Sequence, residues 1–238
     1  GHLQGSASLS VRWDEGHFVY TGPINPKDGL DNEPCGVRRS QVLITESRYG
    51  HPDYVFPPAG ETVEALMERC RALVQGGVTP VLLVSQALGK PQALAARLQA
   101  RGLPVWAHRS IVDGARRLRE LGLPTGRPRR FKSSPDFEGV VLWLTRSRRA
   151  PSLQRLSAAH PILVSGEAAR EEAVAKAGAK EGFVLSDHAD FPSLVEYVER
   201  VAASRVALLP GRALPLRERL QSKKTSVEIL EPTQLSMF

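Results

Sequence analysis

The feature that most constrains the fold is an alternation of short apolar runs with amphipathic segments, which continues from residue 81 to residue 230. The predicted strands are residues 81–84, 105–107, 140–144, 162–164, 183–185, 205–209 and 227–230. The predicted helices between them are residues 91–100, 111–121, 192–203 and 212–221. A strand, helix, strand order implies a parallel sheet with helices on its faces. The sequence therefore predicts an α/β fold.

The N-terminal residues predict two strands joined by a turn instead of the alternation of strands and helices. Residues 7–13 alternate, with Ala7, Leu9, Val11 and Trp13 on one face, and a turn at 14–16 leads to a second strand at 18–20. Residues 41–45 predict a buried strand that ends on Glu46. Residues 51–60 predict a Pro-rich linker, residues 61–75 a helix, and residues 122–136 a loop rich in Gly, Pro and Arg.

Composition limits the classes of function. The 238 residues are 42% hydrophobic, which is enough for a core, and the net charge of +7 favours a polyanionic partner, nucleic acid first. The only cysteines are Cys35 and Cys70, so neither a disulfide framework nor a thiolate zinc site is indicated, and we expect a reducing cytoplasm. No apolar run approaches the roughly 18 residues of a membrane helix. The chain starts at Gly1 rather than Met, from which we expect a processed or incomplete N-terminus.

The candidate chemistry is concentrated in residues 182–192. The predicted strand here ends in a polar turn, Ser-Asp-His-Ala-Asp, and Pro192 then opens an amphipathic helix. Parallel α/β sheets carry their functional residues at the carboxyl ends of strands, so His188 and Asp187 are candidate catalytic residues. The alternative is that Asp187 and Asp190 cap the helix and that His188 is an ordinary turn residue.

Four motifs occur in a distinctive order. They are residues 1–7 (Gly-His-Leu-Gln-Gly-Ser-Ala), 20–23 (Tyr-Thr-Gly-Pro), 44–50 (Ile-Thr-Glu-Ser-Arg-Tyr-Gly) and 183–190 (Phe-Val-Leu-Ser-Asp-His-Ala-Asp). Together they resemble the metallo-β-lactamase-fold nucleases that carry a β-CASP insert. Residues 88–92 and 183–192 are most similar to the bacterial DNA-ligase-associated exonuclease branch.

The resemblance implies a domain organisation. Residues 1–50 and 166–230 would form the C-terminal part of a metallo-β-lactamase-like αββα sandwich, and residues 51–165 would form the β-CASP domain. Residues 231–238 would form a flexible tail.

The resemblance also implies a mechanism. These nucleases hold two zinc ions that generate a hydroxide to attack phosphorus, and a carboxylate with a His outside the metal shell forms an acid pair. By position, His2 matches a later zinc ligand of the family. Glu46 matches the carboxylate of the acid pair and His188 its histidine.

This sequence departs from the family at the metal ligands. The His-x-His-x-Asp-His cluster is absent, and Pro23 and Pro210 occupy the positions of the bridging Asp and the last His. Because proline has no side-chain donor, we expect no zinc pair, and at most one weakly bound ion at a vestigial His2 site.

Several basic residues are candidates for nucleic-acid binding. Lys90 follows Gly89 before a predicted helix, where it would suit a phosphate, although a simple turn is an alternative. Two basic runs lie in loops: Arg127, Arg129, Arg130 and Lys132, then Arg146, Arg148 and Arg149. Phe131 and Trp143 lie near them as a possible stacking platform. The alternative for both runs is a solvated surface charge.

The C-terminal residues suggest a second partner. Gln234, Leu235, Met237 and Phe238 are similar to the short peptide that bacterial DNA enzymes insert into the sliding clamp, with a tail of no specific role as the alternative.

Three functions remain open. The chain could be a nucleic-acid-binding β-CASP relative with a degenerate metal site, binding DNA or RNA. It could be an incomplete chain of an active zinc-dependent DNA exonuclease. It could also be a scaffold that recruits a DNA ligase or helicase to the clamp.

Overall fold

A computed structural model describes residues 1–27, 29–30, 33–132, 138–156 and 158–231. The chain divides into two compact units. The first unit contains Gly1–Val55 and the described part of Asp187–Phe238, and the second unit contains Phe56–Ser186. None of the described helices is long and apolar enough to cross a membrane.

The elements alternate as an α/β fold. The strands are β1 (Leu9–Trp13), β2 (Gly16–Tyr20), β3 (Val42–Thr45), β4 (Thr79–Val84), β5 (Val105–Ala107), β6 (Arg129–Arg130), β7 (Val140–Leu144), β8 (Ala159–Val164), β9 (Glu181–Phe183), β10 (Arg205–Leu208) and β11 (Ser226–Ile229). The helices are α1 (Ala59–Gln75), α2 (Lys90–Ala100), α3 (Arg109–Glu120), α4 (Pro151–Gln154), α5 (Glu171–Lys176), α6 (Phe191–Val201) and α7 (Ala213–Leu220). Short 3-10 turns follow β7 and β8 at Thr145–Ser147 and Gly166–Ala169.

The first unit is built on a five-stranded sheet in the order β1-β2-β3-β10-β11. Only the β1–β2 hairpin is antiparallel, and the other strands pair in parallel. One face carries Val19, Leu43 and Val206, which pack against α6 and α7 to form the core. The opposite face is apolar at the hairpin but open, since Leu9 is 55% and Trp13 49% exposed. The predicted alternation in residues 7–13 therefore forms a strand, but its apolar face is largely exposed.

The second unit is built on a six-stranded, fully parallel sheet in the order β6-β5-β7-β4-β8-β9. Every residue of β4 and β7 is buried, as expected for central strands with both faces covered. Val81, Leu83 and Trp143 face the side on which Leu153 of α4 packs. The alternate residues Leu82 and Leu142 face the opposite side and are fully buried. The predicted parallel sheet is confirmed.

The boundary between the two units differs from the predicted one. Residues 166–186 were expected to belong with residues 1–50, but β9 pairs in parallel with β8 and so lies in the sheet of the second unit. The strand also begins earlier than predicted, at Glu181, and ends at Phe183. Val184 and Leu185, which were predicted to belong to this strand, lie beyond its end. The first boundary falls after Val55, within the predicted linker.

Candidate functional site

The first unit brings Glu46 and His188 together, although they are 142 positions apart. Glu46 directly follows β3, and His188 lies in the turn that precedes α6. The Glu46 Oε2 and His188 Nδ1 atoms are 2.7 Å apart, and the Glu46 side chain is buried. The other oxygen, Oε1, accepts the backbone N–H of Ile24 at 2.6 Å. The two residues that the resemblance assigns to an acid pair are therefore joined by a hydrogen bond.

The turn that carries His188 is fixed at both ends. The Ala189 N–H donates to the Ile24 carbonyl at 2.7 Å. The Asp190 side chain accepts the Ser193 N–H at 3.0 Å as the N-cap of α6, and it also forms an ion pair with Lys27 at 3.1 Å. Helix capping thus belongs to Asp190, while Asp187 does not cap this helix.

His2 and Asp187 complete the cluster. The His2 Nδ1 lies 2.9 Å from the Asp187 carbonyl oxygen, and the rings of His2 and His188 are 4.4 Å apart between centroids. Burial lowers the pKa of His2 below its ordinary value, against the backbone contact with Asp187, which raises it. His2 is therefore an ordered part of this site and is held by the main chain of Asp187.

The donor set of this cluster does not fit a two-zinc centre. Pro23 precedes Ile24, whose N–H binds Glu46, and Pro210 follows β10, the strand beside β3. Neither proline has a side-chain atom that can bind a metal. Among the described residues, no group of three or more His, Cys, Asp or Glu side chains is arranged to hold a metal ion.

Lys90 does not occupy the position predicted for a phosphate-binding residue. It begins α2 after Gly89, which adopts a positive φ of 87°, but its side chain is only 6% exposed. Its Nζ donates to the Leu185 carbonyl oxygen at 2.6 Å. Lys90 therefore ties the end of the second unit to α2 rather than facing solvent.

The predicted basic residues of the second unit are mostly accessible. Arg127, Arg129, Arg130, Lys132, Arg146 and Arg149 are exposed, and Arg148 is half-buried. Gln99 holds Arg127 by two hydrogen bonds with its backbone, at 2.8 and 2.9 Å. Lys132 follows the carboxyl end of β6, and Arg146 and Arg149 follow that of β7. Most residues of the two basic runs therefore lie near the edge of the parallel sheet formed by the carboxyl ends of its strands, where α/β folds usually bind ligands. We call these exposed basic residues the basic edge.

The predicted stacking platform is wrong. Phe131 and Trp143 are each only 6% exposed, because both side chains belong to the core that faces α4. A different aromatic residue lies beside the basic edge: the Arg129 guanidinium is 5.7 Å from the ring centre of the half-buried Trp106. The sequence did not predict this contact. Trp106 lies in the apolar tripeptide 105–107, and β6, which brings Arg129 opposite Trp106, has no hydrophobic pattern.

The second unit also contains a pocket of about 380 Å³. Its apolar floor includes Val81, Leu83 and Leu153, and its basic lining includes Arg148, Arg149 and Lys176. The Arg148 guanidinium donates to the carbonyl oxygens of Thr145 and Lys176, so it supports the wall of the pocket. Lys176 was not among the predicted basic residues, because the sequence of α5 gave no recognisable signal.

His108 predicts a pH dependence of the stability of the second unit. Its Nδ1 accepts the Ser110 N–H at the start of α3, at 3.2 Å. Burial first, and then the positive charge of Arg146, lower the pKa of His108 below its ordinary value of 6.5. Because the folded state binds this proton less readily than the unfolded state, the stability contribution is complete above pH 6.5 and is lost as the pH falls through the folded pKa. Protonation also removes the capping acceptor.

We expect His108→Asn, which keeps a capping side chain that does not titrate, to flatten this acid sensitivity. The capping contribution at stake is roughly 0.5–2 kcal/mol. Urea unfolding of the parent and the variant at pH 7.5 and pH 5, followed by hydrogen exchange in residues 108–120, measures it. An equal loss of stability in both proteins would contradict the assignment.

The predicted clamp-binding residues Gln234, Leu235, Met237 and Phe238 lie outside the described residues.

Comparisons with known proteins relate this chain to a protein with a functional name. No protein-family model matches the chain. The chain is 30% identical over 224 residues to a protein of Opitutus terrae (strain DSM 11246 / JCM 15787 / PB90-1) named "Probable DNA ligase". The match covers 94% of this chain but only 22% of that protein.

A solved structure shares the fold. It is a protein of unknown function from Enterococcus faecalis V583, with a TM-score of 0.55 and 13% sequence identity. The likeness covers 94% of this chain and 59% of that chain. At this identity the likeness defines a shared α/β architecture and nothing further.

Proposed function

We propose that this chain is a nucleic-acid-binding relative of the β-CASP metallo-β-lactamase exonucleases, with little or no hydrolytic activity of its own. In this assignment the first unit corresponds to the metallo-β-lactamase-like part and the second unit to the β-CASP domain. The observation that carries the assignment is the contact between Glu46, which is buried, and His188. In this assignment the chain retains the acid pair of the family. Pro23 and Pro210 replace two of the family's metal ligands, so the metals are lost.

The lost ligands separate binding from hydrolysis. In the family, two zinc ions supply the hydroxide nucleophile and stabilise the charge that develops on the phosphate. The residues present here cannot build that pair of sites, so we assign no hydrolytic step to this chain. Zinc would be absent, or held as one weakly bound ion at His2.

The basic edge of the second unit supports the binding part of the assignment. The net charge of the chain is +7, and most of the exposed arginines in question follow or form strands of one sheet. Arg129 lies over Trp106, an arrangement that also suits a base stacked beside a phosphate contact. The relative named as a probable DNA ligase favours DNA over RNA, and it favours a ligase as a partner.

Substitution of the basic edge should reduce the salt dependence of DNA binding. We expect the triple variant Arg129→Ala, Arg130→Ala, Arg149→Ala to have a shallower slope of log affinity against log salt concentration. The magnitude of the slope should fall by about 2–3, since each lost phosphate contact removes roughly 0.7–0.9. Arg148 is retained because its guanidinium bonds the main chain. Fluorescence anisotropy with a labelled oligonucleotide between 50 and 200 mM salt, a range of about fourfold, measures the slope.

A matched control removes the same charge elsewhere. Arg200, Arg205 and Arg219 of the first unit lie in surface ion pairs, and replacing all three with Ala should leave most of the slope intact. Equal effects of the two triple variants would show that only net charge matters. Cleavage of the oligonucleotide by the purified chain with added zinc, lost on chelation, would overturn the proposed absence of hydrolysis.

A further inference from the structure

The pocket of about 380 Å³ in the second unit lies on one face of its parallel sheet. Val81 and Leu83 of β4 line it, and so does Pro161 of β8, which pairs with Val81. Alternate residues of a strand face the same side of a sheet, so these side chains form a continuous floor. Val81 and Leu83 are only 2% and 1% exposed and belong to the core. The floor of the pocket is therefore apolar and firmly packed.

Short helices and small side chains leave this part of the sheet face open. Helix α4 has four residues and α5 has six. The wall next to α5 is lined by Ala175, Ala177 and Gly178, which fill little space. Small-molecule sites in proteins usually have volumes of about 300–1,000 Å³, and this pocket falls in that range. A ligand with one or two rings therefore fits the volume.

The charged residues that line this pocket are all positive. They are Arg148, Arg149 and Lys176, and both Arg149 and Lys176 are exposed to solvent. None of the lining residues that the structure describes is acidic. In the described part of the chain, the side chains of Arg149 and Lys176 have no hydrogen-bond or ion-pair partner. An anion that enters from solvent can therefore reach both side chains.

The carboxyl end of α5 does not cancel this positive charge. Carbonyl groups at the end of a helix carry a partial negative charge when they have no partner. Here the carbonyl oxygens of residues 173–175 each accept a backbone N–H. The Lys176 carbonyl oxygen accepts the Arg148 guanidinium at 3.3 Å. The same bond joins the segment after β7 to the end of α5, so Arg149 and Lys176 belong to one basic rim.

We propose that this pocket binds a small organic anion. The apolar body of the ligand, such as an aromatic ring, packs on the floor formed by Val81 and Leu83. Its phosphate or carboxylate group accepts hydrogen bonds from Arg149 and Lys176 at the rim. Burial of apolar surface contributes to affinity, and the charge-assisted hydrogen bonds fix the orientation of the ligand. This site goes beyond the proposed function, because nucleic-acid binding at the basic edge requires no apolar floor.

The direct test is NMR on the isotope-labelled full chain with α-naphthyl phosphate, which joins two fused rings to a phosphate. We expect saturable shifts of amide resonances in residues 148–154 and 174–178, with a dissociation constant on the order of 0.1–1 mM at constant ionic strength. The compound α-naphthol lacks the charge, and inorganic phosphate lacks the rings. Each should bind at least about tenfold more weakly, because it makes only one of the two kinds of contact. Equal affinity for any of these three compounds would contradict the proposal.

Variants of the rim and of the wall test the position of the site. The double variant Arg149→Gln, Lys176→Gln should weaken binding of α-naphthyl phosphate at least about tenfold, because it removes the rim charge and keeps polar side chains. Lys223→Gln, at an exposed lysine of the first unit, is the control and should bind as the parent does. Amide resonances outside the pocket show whether each variant is folded. Parent-like affinity of the folded double variant would overturn the site.

Ala175→Trp separates this site from nucleic-acid binding, since Arg149 also belongs to the basic edge. Ala175 is exposed on α5, and a Trp there adds a large ring at the pocket without any change in charge. We expect this variant to lose most α-naphthyl phosphate binding and to keep the DNA affinity of the parent. A parallel loss of DNA affinity would mean that nucleic acid itself occupies the pocket, which would overturn the assignment to a small organic anion. Binding of α-naphthyl phosphate by a parent chain without DNA affinity would refute only the proposed function.

Discussion

Glu46→Ala should destabilise the first unit by about 2–4 kcal/mol, because it leaves two groups without their acceptor. The Glu46 side chain is only 5% exposed. One of its oxygens accepts the Ile24 N–H and the other binds the His188 ring. Removing a partner from a buried polar group costs roughly 1–3 kcal/mol, and two such groups are affected here. Urea unfolding, with hydrogen exchange in residues 20–26 and 42–50, reports the loss in this unit.

Two further variants sharpen this result. Glu46→Gln keeps the shape of the side chain and an oxygen for the Ile24 N–H, so it should cost clearly less than Glu46→Ala. Glu228→Ala removes an exposed carboxylate of the same unit, paired with Arg205 on the surface, and should stay within about 0.5 kcal/mol of the parent. If Glu46→Ala proves as stable as Glu228→Ala, the contact between Glu46 and His188 does not contribute to the stability of the first unit.

This result affects how any later activity is assigned. A loss of activity in Glu46→Ala would mix a missing carboxylate with a loosened fold. Glu46→Gln, checked for stability first, separates the two. The same caution applies to Lys90, whose buried ammonium bonds the Leu185 carbonyl, so its replacement tests the packing of α2 before it tests any ligand.

The sequence predicted the elements of this fold better than it predicted the environments of their side chains. Helix α6 was expected from Pro192 and the spacing of Leu194, Val195 and Val198, and these side chains do form the core of the first unit. By contrast, β6 consists of Arg129 and Arg130 alone, with no apolar pattern to reveal it. Pairing with β5 defines it, and pairing across 23 positions is not visible in a local pattern.

The site shows the same limit. The contact of Glu46 with His188 was expected from motif order, since no periodicity links residues so far apart in the chain. Lys90 was expected to face a ligand because a Gly-Lys pair before a helix is a local signal, and local signals carry no information on burial. Phe131 and Trp143 lie near arginines in the sequence, but their side chains point into the core. The apolar run 140–144 already predicted that burial for Trp143.

Gly211→Ala should destabilise the first unit by roughly 2–3 kcal/mol. The new Cβ atom would lie 2.7 Å from the Ser47 carbonyl oxygen and 2.8 Å from its carbonyl carbon. These are backbone atoms in the turn after β3, so no side-chain rotation can relieve the overlap. The turn that contains Arg212 must instead move away from Ser47. This movement breaks the hydrogen bond from the Arg212 backbone N–H to the Ser47 carbonyl oxygen.

Gly36→Ala is the matched control for this prediction. A Cβ atom at Gly36 has no neighbour within 4 Å, and the residue lies in the same unit. We expect it to change stability by less than about 0.5 kcal/mol. Hydrogen exchange in residues 44–50 and 209–216 should rise in Gly211→Ala and stay unchanged in Gly36→Ala. Unchanged exchange in both variants would mean that the two turns are not interlocked.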